Sequence, residues 1–281
     1  MVPGANLLEL GQRRYDLSTR ALVMAILNRT PDSFFDRGAT WEMGAFWRRA
    51  EEVVAQGADV LDVGGVKAGP GPEVSEAEEL ERIMPAVEGL VSRFAVPVSV
   101  DTWRSGVAAE AFRSGAVLGN DISGFADPKY LAVAASAGAS VVATHIRLAP
   151  RVPDPEPVYG DVVGEVTAFL AQRAEQAHAA GIPRGRVVLD AGLDLGKTAE
   201  QSLCLLRATQ DLADLGYPVL LSTSNKTFLG QLLGLEVGER RLATVAANAL
   251  GMARGGRILR VHDVTGACRA RDMMAAILEG Q

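Results

Sequence analysis

Short apolar runs in this sequence end, one after another, on side chains that can do chemistry: Asn28, Asp62, Asp101, Asn120, His145, Asp190, Lys226 and the pair Arg260 and His262. The carboxylates of Asp101 and Asp190 accept hydrogen bonds only, and the Asn120 amide both accepts and donates. Lys226, Arg260 and His262 supply donors and positive charge. Positions two apart on a strand face the same side, so Arg260 and His262 address one ligand together. The first of these stretches, Val23-Met24-Ala25-Ile26-Leu27-Asn28-Arg29-Thr30-Pro31-Asp32-Ser33-Phe34, shows the pattern most fully. An apolar run delivers Asn28 to its tip, and Thr30, Asp32 and Ser33 then crowd a loop with oxygens. Pro31 biases Thr30 toward an extended conformation, so the chain leaves as a loop and not as a helix. A buried parallel strand reads this way at its carboxyl end. Taken singly, each stretch also fits an ordinary βα turn with a salt-bridged acid.

The elements that must position these residues recur. Residues 41–56 carry helical spacing (Phe46, Ala50, Val53, Val54) and stop at Gly57. The junction Gly57-Ala58 before a buried strand returns at Gly115-Ala116 and Gly138-Ala139, the mark of tandem α/β units. Strands are predicted at 21–27, 60–64, 96–100, 117–120, 140–145, 187–189, 219–222 and 258–261. Eight such units predict a single-domain α/β fold, a (β/α)8 TIM barrel over 21–281, with residues 1–20 as an N-terminal segment packing on it. A doubly wound open sheet is the structural alternative. The barrel also explains why the polar residues follow the strands, since barrel sites sit at the strands' carboxyl ends. The Pro-dense stretch 149–157 follows the fifth strand and is expected to cover the site's mouth, not to divide domains.

Bulk properties narrow the class. In 281 residues, 48% hydrophobic and 22% charged, a substantial core is affordable. A net charge of −6 argues against nucleic acid as a partner. No apolar run reaches the roughly 18 residues of a membrane helix, and no signal pattern opens the chain, so a cytoplasmic protein without a membrane partner is expected. Cys204 and Cys268 show no ligand spacing and read as helix thiols. His178 reads as a helix-surface residue.

The words around these residues resemble the dihydropteroate synthase family, which joins a dihydropterin diphosphate to p-aminobenzoate. They are Asn28 to Phe34; Ser99-Val100-Asp101-Thr102; Gly119-Asn120-Asp121-Ile122-Ser123; Leu189-Asp190-Ala191-Gly192 with Gly196-Lys197; Ser224-Asn225-Lys226-Thr227-Phe228; and Arg260-Val261-His262-Asp263. Several separated words in one order are far more specific than any single motif. A pterin's aminopyrimidinone edge is rich in N–H donors and suits carboxylates and an amide. The resemblance implies that Asp190 holds the 2-amino side, Asp101 and Asn120 the ring nitrogens, and Lys226 the ring acceptors. It further implies that Arg260 stacks on the pterin face, that Asn28, Arg260 and His262 hold the diphosphate, and that Mg²⁺ lies near Asn28. Lys226, Arg260 and His262 form the catalytic set, and a homodimer paired through outer helices is the family's habit. His145 matches the family's fifth-strand histidine.

The second loop departs from that pattern. The family's Gly-Gly-Glu-Ser-Thr-Arg-Pro-Gly is here Gly64-Gly65-Val66-Lys67-Ala68-Gly69-Pro70-Gly71. The threonine and arginine that meet the aminobenzoate and the departing diphosphate become Ala68 and Gly69, and Lys67 returns only a flexible point charge. Ser-Arg-Lys-Ser becomes Ser224-Asn225-Lys226-Thr227, and Gly-Phe-Gly-Lys becomes Asp194-Leu195-Gly196-Lys197. Arg29, which replaces a small residue, is expected to approach the diphosphate from the first loop. A charged hydrogen bond lost from a transition state costs about 2–4 kcal/mol. The departures therefore imply a pterin-binding protein with weak or no synthase activity, resembling the divergent second paralogue found beside a normal synthase in some actinobacteria. A working synthase, a pterin-barrel methyltransferase and catalysis with another nucleophile are the alternatives.

Overall fold

In the computed structural model of the chain, which describes residues 6–30 and 40–279, eight parallel strands close into a barrel behind a short hairpin. The hairpin is β1 (Leu7–Leu10) and β2 (Arg13–Asp16). The barrel then runs β3 (Leu22–Asn28), α1 (Met43–Ala55), β4 (Val60–Gly64), α2 (Glu76–Arg93), β5 (Val98–Asp101), α3 (Ser105–Arg113), β6 (Leu118–Asp121) and α4 (Tyr130–Ala137). It continues through β7 (Ser140–Thr144), α5 (Val162–Ala179), β8 (Val187–Asp190), α6 (Ala199–Arg207), α7 (Thr209–Ala213), β9 (Val219–Leu221), α8 (Thr227–Leu233), α9 (Arg241–Ala253), β10 (Gly256–Val261) and α10 (Val264–Glu279). Pairing of β10 with β3 closes the ring, with Ile258 opposite Leu22 and Val261 opposite Ala25. The single-domain barrel is thus borne out, and the open sheet is excluded.

Alternation along the strands builds two cores. Val23, Ala25, Leu27, Leu61, Val63, Val100, Leu189 and Leu259 point outward into the layer under the helices. Met24, Val60, Leu118, Val142, Val188, Leu220 and Ile258 point inward and make an apolar floor. The hairpin seals that floor from below: Leu8, Leu10 and Leu17 are buried against it. Polar bonds fix the seal, with Ser140 Oγ donating to the Glu9 carbonyl and Arg257 Nε to the Leu17 carbonyl at 2.7 Å. One pleat above the floor the inward positions become Asp62, Asn120, Asp190 and Arg260. The change from apolar to polar marks where core ends and site begins.

The Gly-Ala junctions are helix stops. Gly57, Gly115 and Gly138 have φ of 96°, 101° and 64°, a region that suits residues without Cβ. In each, the following alanine donates back five residues, Ala58 to Val53, Ala116 to Ala111 and Ala139 to Ala134, closing the turn before the next strand begins. Above the barrel, the Pro-dense stretch bridges two loops. Arg151 N–H donates to the Ala68 carbonyl at 3.1 Å, Arg147 pairs with Asp154, and Tyr159 donates to the Gly196 carbonyl at 2.8 Å. No helix among the described residues is long and apolar enough to cross a membrane.

Candidate functional site

The carboxyl ends of the strands open into a cavity of about 520 Å³. Asn28, Lys67, Ala68, Gly69, Asp101, Asn225, Lys226, Arg260 and His262 line it. Asn120 and Asp190 are not part of that wall: they are 3% and 4% exposed and lie in the layer beneath. Asp32 and Ser33 lie outside the described residues.

Arg260 is the centre of the lower layer. Its Nε donates to Asp62 Oδ2 at 2.7 Å and its Nη2 to Asp101 Oδ2 at 2.6 Å. Asp62, with no exposed surface, also accepts from Ser99 Oγ at 2.6 Å and from the Asn120 amide at 3.4 Å. Burial works against the Arg260 charge, but Asp62 and Asp101 outweigh it and raise its pKa further, so the guanidinium stays charged. Burial raises the Asp101 carboxyl, and the opposing pull of Arg260 does not cancel that rise. Burial likewise raises Asp190, while the Gly192 N–H, donated at 2.8 Å, and the charges of Lys226 and Arg260 pull it down. A carboxylate has room for about four accepted hydrogen bonds, so Asp101 keeps acceptor capacity beyond its bond to Arg260. Asp62 stood among the strand-end residues in the sequence without a role. Its place beneath Arg260 gives it one.

His262 sits on the same face of the chain as Arg260, as the two-residue spacing requires. The Ser224 hydroxyl accepts from the His262 backbone N–H at 3.1 Å and lies 2.9 Å from the ring Nδ1. A hydroxyl carries one hydrogen and two lone pairs, so while accepting from the backbone it can still either donate to Nδ1 or accept from it, and the contact fits both imidazole tautomers. Burial first, then Arg260, Arg49 and Lys226, lowers the ring to about 3. A neutral imidazole is the result.

His145 lies behind the cavity wall. Lys197 Nζ, 2.9 Å from His145 Nδ1, also donates to the carbonyls of His145, Gly192 and Leu195. Burial lowers this lysine to about 7, and burial together with Lys197 lowers His145 to about 3. Lys197 thus ties the loops after β7 and β8 together. The sequence carried its motif but no sign of this tethering.

Two expectations are corrected. Arg29 does not approach the cavity, because on β3 the Asn28 side chain takes the inward direction and the next residue turns away. Its guanidinium donates to the carbonyls of Thr40, Trp41 and Arg82, and it lies 5.2 Å over the Trp41 ring and 5.6 Å over Phe46. His178 is no free surface residue of α5: Nδ1 meets the Ile182 carbonyl at 2.9 Å and Nε2 the Tyr217 hydroxyl at 2.8 Å.

The upper wall is different in kind. Val66, Lys67, Ala68, Gly69 and Pro70 form one side of the cavity. A Cβ at Gly69 meets nothing within 4 Å, so this position is open space. Opposite it, Asn225 is held at φ 56°, with Arg240 donating to its carbonyl at 3.1 Å. Asp194, also at the wall, binds the first N–H groups of α8.

The chain is similar to known proteins along nearly its whole length. A family model described as "Pterin binding enzyme" matches residues 24–262. The chain is 46% identical over 264 residues to "Inactive dihydropteroate synthase 2" of Mycobacterium leprae, covering 92% of this chain and 91% of that one. It is 40% identical to the dihydropteroate synthase of Synechocystis, covering 92% and 90%. Among solved structures, the dihydropteroate synthase of Yersinia pestis in a sulfonamide drug complex superposes with a TM-score of 0.93 at 35% identity, covering 98% of this chain and 100% of that one.

Proposed function

The chain belongs to the pterin-binding enzyme family, whose dihydropteroate synthases are its relatives, and on that premise we propose a barrel that keeps the pterin end of its site and has lost most synthase activity. The contrast between the two ends of one cavity carries this reading. At the lower end Asp101 lines the cavity, with Asn120 and Asp190 in the layer beneath it, and these acceptors suit an N–H-rich ring edge, while Lys226 supplies a donor for its carbonyl and nitrogen acceptors. Arg260 spends its N–H edge on Asp62 and Asp101, which leaves the flat guanidinium face for the ring to stack on. For a diphosphate Arg260 keeps its charge and the N–H groups that Asp62 and Asp101 do not hold, beside the neutral His262 ring. At the upper end, where an arylamine must be placed, Ala68 and Gly69 carry no hydrogen-bonding side chain and Asn225 no charge.

Mg²⁺ fits this chemistry. Among the described residues no group of three or more His, Cys, Asp or Glu forms a metal cage. Mg²⁺ needs none: it takes one or two protein oxygens and fills its shell with waters and phosphate oxygens. Asn28, at the cavity wall, would hold it through the amide oxygen. When bound, the ion offsets charge on the diphosphate oxygens. A homodimer belongs to the same proposal, and the exposed apolar side chains Leu233, Leu242 and Met273 on α8, α9 and α10 support it.

The test is calorimetric titration with dihydropterin diphosphate and Mg²⁺, followed by p-aminobenzoate and an assay for released diphosphate. Binding of the pterin without aminobenzoate-dependent release is the expected result. Release at an ordinary enzymatic rate would establish the second reading, a working synthase in which Lys67 compensates for the second loop. Absence of pterin binding would overturn both.

A further inference from the structure

Asp194 occupies a backbone position that suits glycine. Its φ is 67°, and it stands between Gly192 and Gly196 at 65° and 61°. Asp tolerates this region better than most residues, but at a cost that glycine does not bear. In return, the carboxylate crosses to another loop and accepts from the backbone N–H groups of Thr227 and, at 3.2 Å, Phe228. Its own N–H donates to Ser202 Oγ at 3.1 Å, which anchors the loop from below. Lys226, the cap residue of α8, offers no side-chain bond of its own, so Asp194 closes this helix from 33 residues away.

Capping explains an acceptor, but it does not explain a charge. An amide or hydroxyl oxygen caps a helix about as well as a carboxylate. A full negative charge instead stands in the cavity wall, beside Leu195, Asn225, Lys226 and Thr227. The side chain beside it at 225 is an uncharged amide. Within the stretch 66–70, Lys67 alone carries a donor side chain. Among the described residues the cations at this end are Lys67 and Lys226, and the latter also sits in the field of Asp190.

We infer that Asp194 sets the charge of the second ligand: the end of the cavity formed by Asp194, Leu195 and Asn225 takes a neutral or cationic amine and rejects one that bears a carboxylate. This inference rests on the pterin reading for what fills the rest of the cavity. Two carboxylates a few ångströms apart in a part-closed site repel enough to lower affinity by about tenfold or more.

The probes are 4-aminobenzoate and its uncharged counterpart 4-aminobenzamide. Each is titrated calorimetrically into the protein loaded with 6-hydroxymethylpterin and inorganic diphosphate, which together cannot react. The wild type is expected to bind the amide about tenfold or more tighter than the benzoate. Asp194→Asn keeps an oxygen for the helix and tolerates the positive φ, so it isolates the charge. That variant should close the gap to about threefold or less, and Asp194→Gly should do the same with the side chain gone altogether. Equal binding of the two probes by the wild type, binding of neither, or a gap that survives Asp194→Asn overturns the inference while leaving the pterin reading intact. Failure of 6-hydroxymethylpterin itself to bind overturns that reading, and this inference with it.

Discussion

Arg260 and Asp62 meet at 2.7 Å one pleat above the apolar floor of the barrel, where Asp62 has no exposed surface. Three further polar groups of the lower layer are placed with reference to that pair. Ser99 and Asn120 donate to the same carboxylate, and Asp101 takes the other end of the guanidinium. A charge pair so deep costs solvation, and it persists because each partner is multiply bonded. It fixes the direction in which Arg260 offers its flat face.

Asp62→Asn therefore tests the frame beneath the site. The substitution keeps shape but removes the charge opposing Arg260, which then relies on Asp101 alone. Unfolding in urea should show a loss of about 2 kcal/mol, less than the usual cost of stripping a buried charge of its only partner. Affinity for 6-hydroxymethylpterin should fall about tenfold, because the guanidinium is free to tilt. A variant as stable as the wild type and with unchanged affinity would mean that Asp62 is not what holds Arg260.

His262 makes a prediction about pH. Its folded pKa, about 3, lies below the ordinary 6.5. The neutral ring's contribution to stability is thus fully present above pH 6.5 and is lost as pH falls toward 3. Between pH 5 and 8 the ring does not titrate, and any pH dependence of diphosphate binding there comes from another group. Nitrogen chemical shifts of labelled histidine should show a neutral ring throughout that range. A midpoint near 6.5 contradicts the burial of the ring beside Arg260.

The barrel was legible because parallel strands buried on both faces are short apolar runs, and because Val60, Leu118, Val188 and Ile258 are each followed two positions later by a polar inward residue. The same register gave the candidate site its members. What escaped depends on contacts between distant stretches. The hairpin has its own local signal, Leu8 and Leu10 alternating before the left-handed Gly11 (φ 61°), but its role as a plug needs the barrel floor to exist. His178 is bound by Tyr217, and Lys197 by carbonyls on two loops, pairings that no spacing announces. Arg29 is different. Alternation from Asn28 already implies an outward direction, and the charge beside a phosphate-binding word drew the reading the wrong way.

Arg29→Ala should consequently behave as a structural variant. It removes donors to the Thr40, Trp41 and Arg82 carbonyls and the cation–π contacts with Trp41 and Phe46. A loss of about 2 kcal/mol in unfolding free energy is expected. Affinity for inorganic diphosphate should stay within about threefold of wild type, less than 1 kcal/mol. A tenfold weaker diphosphate affinity in a well-folded variant would restore the role that its charge first suggested.

Restoring the upper wall asks whether its altered side chains account for the proposed loss of synthase activity. Gly69→Arg enters open space, since a Cβ there meets nothing within 4 Å. Asn225→Arg is less comfortable, because φ is 56° and an ordinary L-residue there costs about 1 kcal/mol. The double variant should therefore be slightly less stable but raise aminobenzoate-dependent diphosphate release by about two decades, the scale of one well-placed charged donor to a developing charge. Gly69→Arg alone should act mainly on turnover and Asn225→Arg mainly on the apparent affinity for aminobenzoate, because the resemblance to the synthases implies that the first meets the leaving group and the second the arylamine. Adding Asp194→Gly should increase the gain again, with the effect concentrated in aminobenzoate affinity. If the triple variant binds the pterin as the wild type does and still releases no diphosphate, the missing arginines and the added acid are not what silences the site.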